Sequence, residues 1–538
     1  MPEAPKRTVR SRAALVAVVI CALAVSAVLG YVGLALHYES LEPNPKTDRF
    51  AAMLAELPPC PPAESAWYAY MDAMHPRHLG EEGTTATNMM YTQFAIHEAL
   101  RAALEEAGVA FVGSTSWDAV VHAESLLAAG SADDGSPARE FIARVLGQLS
   151  STRSAVVEAS KVPVFGVRVP TARDLRSREF FGDSLYSLFP EFPDAEIGFS
   201  EAKTIHSIAI LLEGDASHAL ATGDAERALV DLETIARMTL HSDEVRSTIG
   251  QMLSLSCRAR VWAMANRFAS LHPATWSDAQ LARLGAALDS IDARGSELDL
   301  AWEEAFFEMA VSRFYSDDGA GDGVLLLKAI LTSQSDDLFG RATPQWGLAR
   351  MLLAPWYIRQ APSRAELTRD FEAHLDSMRA RMAMPLWKRQ RQPESRLSLT
   401  TAMRSDSDPV GVLVFTHLDR PIDTIAWMAH RDGARLALVI ELFRRAHGRL
   451  PETMDELLAF ARERKLEGPP APWGLAPLTT DTQSGKPYRL EIVATEDGSQ
   501  RVEIWSDGPQ DPELADELWT TEKGFRVVPP HPLRRGEE

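Results

Sequence analysis

Cysteine is scarce in this 538-residue sequence, which has three in all. Cys21 lies in an apolar run near the N-terminus, and Cys60 and Cys257 are far apart in the rest of the chain. No spacing of cysteine and histidine is typical of a zinc site, so zinc is excluded as the element that stabilises the fold. The spacing leaves open whether Cys60 and Cys257 form a disulfide or are two separate buried thiols.

The sequence also lacks the motifs of the common catalytic families. The Gly-x-Ser-x-Gly elbow, the phosphate-binding loop and the dinucleotide fingerprint are missing. Ser200-Glu201-Ala202-Lys203 fits the Ser-x-x-Lys pattern of penicillin-recognising enzymes, but their companion elements are missing. Ser200 is therefore predicted to be a helix N-cap. These patterns predict no catalytic residue, so they favour a protein without enzymatic activity.

Basic residues are outnumbered by acidic ones, and the formal net charge is −20. Such a surface repels phosphates, which excludes nucleic acid as a partner. It favours solubility, and it is compatible with basic partners or divalent cations. The common explanation of such acidity is a solvated surface.

The longest uncharged run covers residues 13–36 and predicts a transmembrane helix. As a helix it is roughly 36 Å long, against a hydrocarbon core of roughly 30 Å. Basic residues precede it in the tail 1–12, whereas Glu39 and Glu42 follow it. This asymmetry places the N-terminus in the cytoplasm and the body outside the cytoplasmic, or inner, membrane. A cleaved signal peptide is the alternative, although its apolar part is usually about 7–15 residues long.

The remainder is predicted to be mainly helical. Residues 37–62 are rich in proline and indicate a spacer. Residues 63–420 show apolar residues at helical spacing, which predicts stacked antiparallel hairpins. One hairpin lies near residues 200–241, where the segment from His218 to Leu232, with its Gly223-Asp224 turn, resembles a tetratricopeptide repeat. That resemblance implies a protein-binding scaffold.

The C-terminal residues 421–528, which precede a short tail at 529–538, show a different pattern. A long helical segment leads to the Gly448-Arg449-Leu450-Pro451 turn, and Gly485-Lys486-Pro487-Tyr488 precedes two alternating segments joined by a hairpin turn. This order resembles the globular domain of the major pseudopilins of type II secretion. The resemblance implies a small α+β module with an antiparallel sheet. The alternation of apolar residues in the two segments predicts that Leu490, Ile492, Val502 and Ile504 form the inner side of this sheet. The whole chain also resembles uncharacterised bacterial envelope proteins with this ending.

Carboxylates supply the only candidate metal site. Asp507, Asp511 and Asp516 follow the last clear strand, and calcium accepts carboxylate oxygens from such loops. Major pseudopilins bind calcium in the corresponding loop, so the resemblance implies the same here. Two further pairs, Asp215 with His218 and Glu304 with Glu308, are interpreted as parts of solvated helix faces. No other cofactor is predicted.

Together these patterns predict a membrane-anchored extracytoplasmic scaffold that binds another envelope protein. The alternative is an extracytoplasmic hydrolase whose site is assembled from residues distant in sequence, which motifs alone do not exclude.

Overall fold

The computed structural model describes residues 60–74, 143–166, 194–316, 358–384, 424–469, 478–507 and 520–528, some with short gaps, together with residues 323–326, residue 388 and scattered positions between 26 and 53. This part of the chain is mainly helical with a small antiparallel sheet, as predicted. No helix within it is long and apolar enough to span a membrane. Of the predicted anchor, only residues 26, 30–34 and 36 are described.

The helices follow the predicted apolar spacing closely. They are α1 (Ala66–Met74), α2 (Ser150–Ala159), α3 (Asp194–Ala221), α4 (Ala225–Ser242), α5 (Thr248–Leu271), α6 (Asp278–Ala293), α7 (Leu300–Phe314), α8 (Arg364–Met382), α9 (Thr424–His447) and α10 (Met454–Arg464). The helices predicted at residues 88–107 and 117–129 lie outside the described residues.

Helices α3 to α6 pack around one apolar core. Asp224 ends the α3–α4 turn and accepts a hydrogen bond from the Arg227 amide, which caps α4. Ser277 and Gln280 form a capping box at the start of α6. The prediction for Ser200 is wrong, because the helix begins at Asp194 and Ser200 lies inside it.

Helices α7 and α8 form a second apolar cluster. The rings of Phe307 and Phe371 stack with centroids 3.8 Å apart. A helix was expected over residues 323–333, but the described residues 323–326 are not helical, and Leu325 forms an antiparallel bridge with Tyr315. This bridge satisfies backbone groups just beyond the end of α7.

The C-terminal part contains α9, α10 and the sheet, whose strands are β1 (Arg489–Ala494), β2 (Gln500–Ser506), β3 (Thr520–Thr521) and β4 (Gly524–Val528). The order is β1-β2-β4-β3, and all neighbours are antiparallel. Val502 and Ile504 are buried and Leu490 is partly buried, as expected. Ile492 is 39% exposed, which corrects its predicted position. It lies towards the end of β1, an edge strand of this sheet.

Helix α9 contributes to two cores. Leu436, Val439 and Phe443 pack in the cluster that contains the sheet residues. Ala434 and Leu438 instead join the core of α3 to α6. Helix α9 is therefore buried on two sides, and it joins the C-terminal part to the helical body.

Candidate functional site

Two aspartates on neighbouring helices share one arginine in the interior. Arg153 of α2 places Nε 2.6 Å from Asp215 Oδ2 and Nη2 2.7 Å from Asp231 Oδ1. Arg227 of α4 also donates from Nε to Asp215 Oδ2 at 2.8 Å. Both carboxylates are fully buried. Asp215 is therefore not on a solvated helix face, as the sequence had suggested, but in an ionic cluster that holds α2, α3 and α4 together.

The two carboxyl groups of this cluster differ in protonation. Burial and the neighbouring Asp215 carboxylate raise the pKa of Asp231 to about 9. For Asp215, burial opposes ionisation, but the hydrogen bonds from Arg227 and the charge of Arg153 outweigh it and lower its pKa. At neutral pH Asp215 carries the negative charge and Asp231 carries a proton. Because both carboxyl groups are buried between helices, the pair supports the fold.

A half-buried row of polar side chains lies between α3 and α5. It consists of His206, Glu213 and Ser217 on α3 and of Ser256, Arg260 and Arg267 on α5, and it is called the polar row below. Arg260 Nη1 lies 2.5 Å from Glu213 Oε2, and Arg267 Nη2 donates to Ser217 Oγ at 2.6 Å. The Arg260 and Arg267 side chains are 20% and 25% exposed, and burial lowers the pKa of the Arg267 guanidinium, so the row is only partly open to solvent.

One end of the polar row contains a serine and a histidine in contact. Ser256 Oγ lies 3.3 Å from His206 Nδ1, and Arg260 Nη2 lies 3.4 Å from His206 Nε2. Burial and, to a lesser extent, the Arg260 charge lower the pKa of His206 to about 4, so the ring is neutral at pH 7. A nucleophilic triad places a carboxylate at the second ring nitrogen, where Arg260 lies here. Moreover, Ser256 is inside a helix, where backbone amides bond to carbonyls one turn earlier and are not free to stabilise an oxyanion.

A third polar group joins α6 to α9. Arg435 of α9 places Nη1 2.5 Å from Asp289 and Nη2 2.8 Å from Asp292, both on α6. Trp262 of α5 donates to the other Asp292 oxygen at 3.1 Å. Arg435 and Asp292 are almost fully buried, and each has charged hydrogen-bond partners. This arrangement fixes the position of α9 against the helical body.

The motif residue Tyr488 has a structural role at the same helix. It is buried, and its hydroxyl donates to the Asp432 carboxylate of α9. Gly485 adopts φ +73°, a conformation that favours glycine, just before the strand begins. The Gly-Lys-Pro-Tyr segment therefore joins β1 to α9 through a turn and one buried hydrogen bond.

The predicted calcium ligands are only partly described. Asp507 Oδ1 lies 2.8 Å from Arg489 Nε, and Asp507 Oδ2 lies 3.7 Å from Lys486 Nζ. Asp511 and Asp516 lie outside the described residues. In the described part of the chain, no three acidic, histidine or cysteine side chains form a metal-binding group. The calcium site stays a prediction, and it requires Asp507 to exchange its basic neighbours for a cation.

Cys60 and Cys257 are free thiols, and both are buried. Cys257 lies within α5 in the core of α3 to α6. Burial raises its pKa to about 12, so it is a thiol at neutral pH. Of the two alternatives left open by the sequence, the structure has the separate thiols.

The polar row was not predicted, although the sequence contains a signal for it. His206, Glu213 and Ser217 recur at intervals of seven and four residues in an apolar helix, and Ser256, Arg260 and Arg267 recur at four and seven. Such spacing places polar groups on one helix face. That the two faces meet follows only from the packing of α3 on α5.

Comparison with known proteins gives no relative for this arrangement. No protein-family model matches the chain, and neither a curated protein nor a solved structure matches it.

Proposed function

We propose that the protein is a scaffold, anchored by residues 13–36 in the inner membrane, whose extracytoplasmic helical body binds another envelope protein. The observation that carries this proposal is the polar row, a line of mutually bonded side chains along two adjacent helices. Between His206 and Ser217 it extends roughly 17 Å along α3. That length suits an extended peptide segment better than a small metabolite.

The charge of the polar row indicates which segment it binds. Arg260 and Arg267 both lie within ion-pair distance of Glu213, and His206 is neutral, so the six side chains of the row carry a formal charge of +1. Guanidinium groups bind carboxylates with paired hydrogen bonds. An acidic side chain of a partner protein is therefore the expected ligand, flanked by backbone amides that bond to the serine hydroxyls.

The order of the helices supports the scaffold proposal. Helix α4 packs on both α3 and α5, and α3 also packs on α5. In the tetratricopeptide family, which the α3–α4 turn resembles, the first helices of successive hairpins line the binding surface. That resemblance makes α3 and α5 the corresponding helices, and the polar row lies between them.

The proposed anchor is supported by the sequence, in which the uncharged run 13–36 is long enough to cross a bilayer and follows a basic tail. A reporter active only outside the cytoplasm, fused after residue 60, should be active, and one active only in the cytoplasm should be silent. The reverse pattern would contradict the proposed orientation.

The hydrolase alternative has weaker support. The described Ser256–His206 contact lacks the carboxylate and the oxyanion donors that acyl transfer requires. A screen of ester, amide and glycoside substrates with the wild type and with Ser256→Ala should therefore show no activity that depends on Ser256.

The binding proposal is tested with a photo-crosslinking amino acid at position 256, in the full chain in its native membrane. We expect one discrete crosslinked product, lost with Arg267→Glu, because the new charge repels an acidic ligand. The matched control is Arg283→Glu on α6, which changes an arginine with 41% exposure outside the polar row. If the product is absent, or if both reversals change it equally, the polar row does not bind the partner.

A further inference from the structure

The segment that follows the proposed anchor is not free of the helical body. Leu41 and Met53 are partly buried against the apolar cluster of α7 and α8. Arg49 Nη1 lies 3.6 Å from Glu304 and 3.3 Å from Glu308, both on α7. Two apolar contacts and one arginine therefore attach this segment, predicted from sequence to be a spacer, to one helix pair.

The ionic part of this attachment continues onto α8. Arg379 of α8 also bonds to Glu304, and it pairs with Asp376 at 3.0 Å. Glu304 thus lies between an arginine of the N-terminal segment and an arginine of α8. The pair Glu304 and Glu308, interpreted from sequence as a solvated face, is the place where the segment docks.

The distance from the proposed anchor to this docking place is short. Leu36 is the last residue of the uncharged run, and Leu41 is five residues further along. The described residues between them are helical, and Ser40 Oγ bonds to the His37 carbonyl. Five residues span about 8 Å as a helix and at most about 18 Å when fully extended. The contact of Leu41 with the α7–α8 cluster is therefore within this distance of the end of the anchor.

We infer that α7 and α8 form the membrane-proximal face of the protein, held at the phospholipid headgroup layer by the docked side chains of Leu41, Arg49 and Met53. This inference rests on the anchor in the proposed function. With this face at the bilayer, a tether of five residues fixes the height of the helical body. The docked segment thereby acts as a positioning element between the bilayer and the scaffold.

The test measures energy transfer from a dye on the protein to acceptor-labelled lipids. The full chain with Cys21→Ser is reconstituted in phosphatidylcholine and phosphatidylglycerol vesicles. It carries either Asp376→Cys on α8 or Asp278→Cys at the start of α6, positions whose side chains are 75% and 84% exposed. A membrane-impermeant maleimide dye is then added. The parent chain without an added cysteine should take up no dye, because Cys60 and Cys257 are buried.

Transfer should be more efficient from position 376 than from position 278. Equal efficiencies, or the opposite order, would overturn the inference. A second arm combines Leu41→Asp, Arg49→Glu and Met53→Asp, which should lower transfer from position 376 by releasing the docked segment. Lys161→Glu, an exposed charge reversal elsewhere, should leave it unchanged. If the triple variant also has no effect, the docking does not set the position of α8.

Vesicle flotation distinguishes a failure of the proposed anchor from a failure of the inferred membrane-proximal face. A chain that does not float with the vesicles contradicts the anchor itself. A chain that floats but transfers equally from both positions contradicts only the assignment of α7 and α8 to the membrane-proximal face.

Discussion

Asparagine substitutions at Asp215 and Asp231 should differ in their effect on stability, although the two residues contact the same arginine. Asp215 carries the charge that Arg153 and Arg227 require. Asp215→Asn would leave two guanidinium groups without their shared anion, which typically costs about 3–5 kcal/mol for a buried pair. Asp231 is already protonated, so an amide reproduces both its acceptor oxygen and its donor. Asp231→Asn should change the free energy of unfolding at pH 7 by less than about 1 kcal/mol or increase it.

The pH dependence of stability gives the sign of the effect of Asp231→Asn on the free energy of unfolding. Asp231 has a folded pKa of about 9 against an ordinary value of 3.8. A carboxyl group whose pKa is raised on folding makes its full contribution to stability below pH 3.8. That contribution is lost as the pH rises through 9. Each pH unit inside this window costs the folded state at most about 1.4 kcal/mol. Asparagine does not titrate, so the advantage of Asp231→Asn over the wild type should grow from pH 6 to pH 9.

Urea unfolding of the detergent-solubilised full chain, followed by circular dichroism at pH 6, 7, 8 and 9, measures both variants. Asp376→Asn on α8 is the matched control, because its side chain is 75% exposed and should change stability by less than about 0.5 kcal/mol. Equal losses for Asp215→Asn and Asp231→Asn would refute the assignment of the charge to one carboxyl and the proton to the other.

Three further predictions concern other sites. Burial lowers the pKa of His241 from 6.5 to about 4, so only the unfolded state binds this proton between those values, and the free energy of unfolding should fall as pH drops from 6.5 to 4. Urea unfolding should show a flatter pH profile in His241→Gln. Arg435→Met should cost about 3–5 kcal/mol, because it leaves Asp292 buried with less charge compensation, whereas Arg489→Met, at an exposed pair, should cost less than about 1 kcal/mol. If calcium binds at Asp507, the full chain should melt at a higher temperature in millimolar calcium than in chelator, and Asp507→Asn should remove the difference.

Protonation of His241 is opposed mainly by burial, and it also changes a buried hydrogen bond. Nε2 lies 2.8 Å from the Val162 carbonyl and therefore donates, and Nδ1 lies 2.9 Å from the Tyr70 hydroxyl and accepts. Adding a proton to Nδ1 would require the Tyr70 hydroxyl to turn and accept instead of donate. The contact joins α1 and the 162–166 segment to α4, so this junction should be the first to loosen in acid.

The sequence by itself determined the local elements of the protein. Apolar residues at helical spacing set the extent of α4 and α5, and the oxygens of Asp224 and Ser277 fixed the starts of α4 and α6. Alternating residues on either side of a turn likewise predicted β1 and β2. The short helix α10 was missed, although Thr453 caps it and Glu456 follows three residues later, a pattern typical of a helix start. These features depend on neighbours in the chain, which a sequence displays directly.

Tertiary structure decided which distant groups meet. The sequence of α3 has an aspartate at position 215, but only the packing of α2 and α4 turns it into a buried ion with two arginines. The same applies to the polar row, which exists because α5 returns alongside α3, and to α9, whose second apolar face is needed only because α5 and α6 lie against it. Whether a carboxylate is solvated or buried depends on its surroundings in space, since burial and charged neighbours set its protonation. Those surroundings come from segments as far apart in sequence as Arg153 and Asp231.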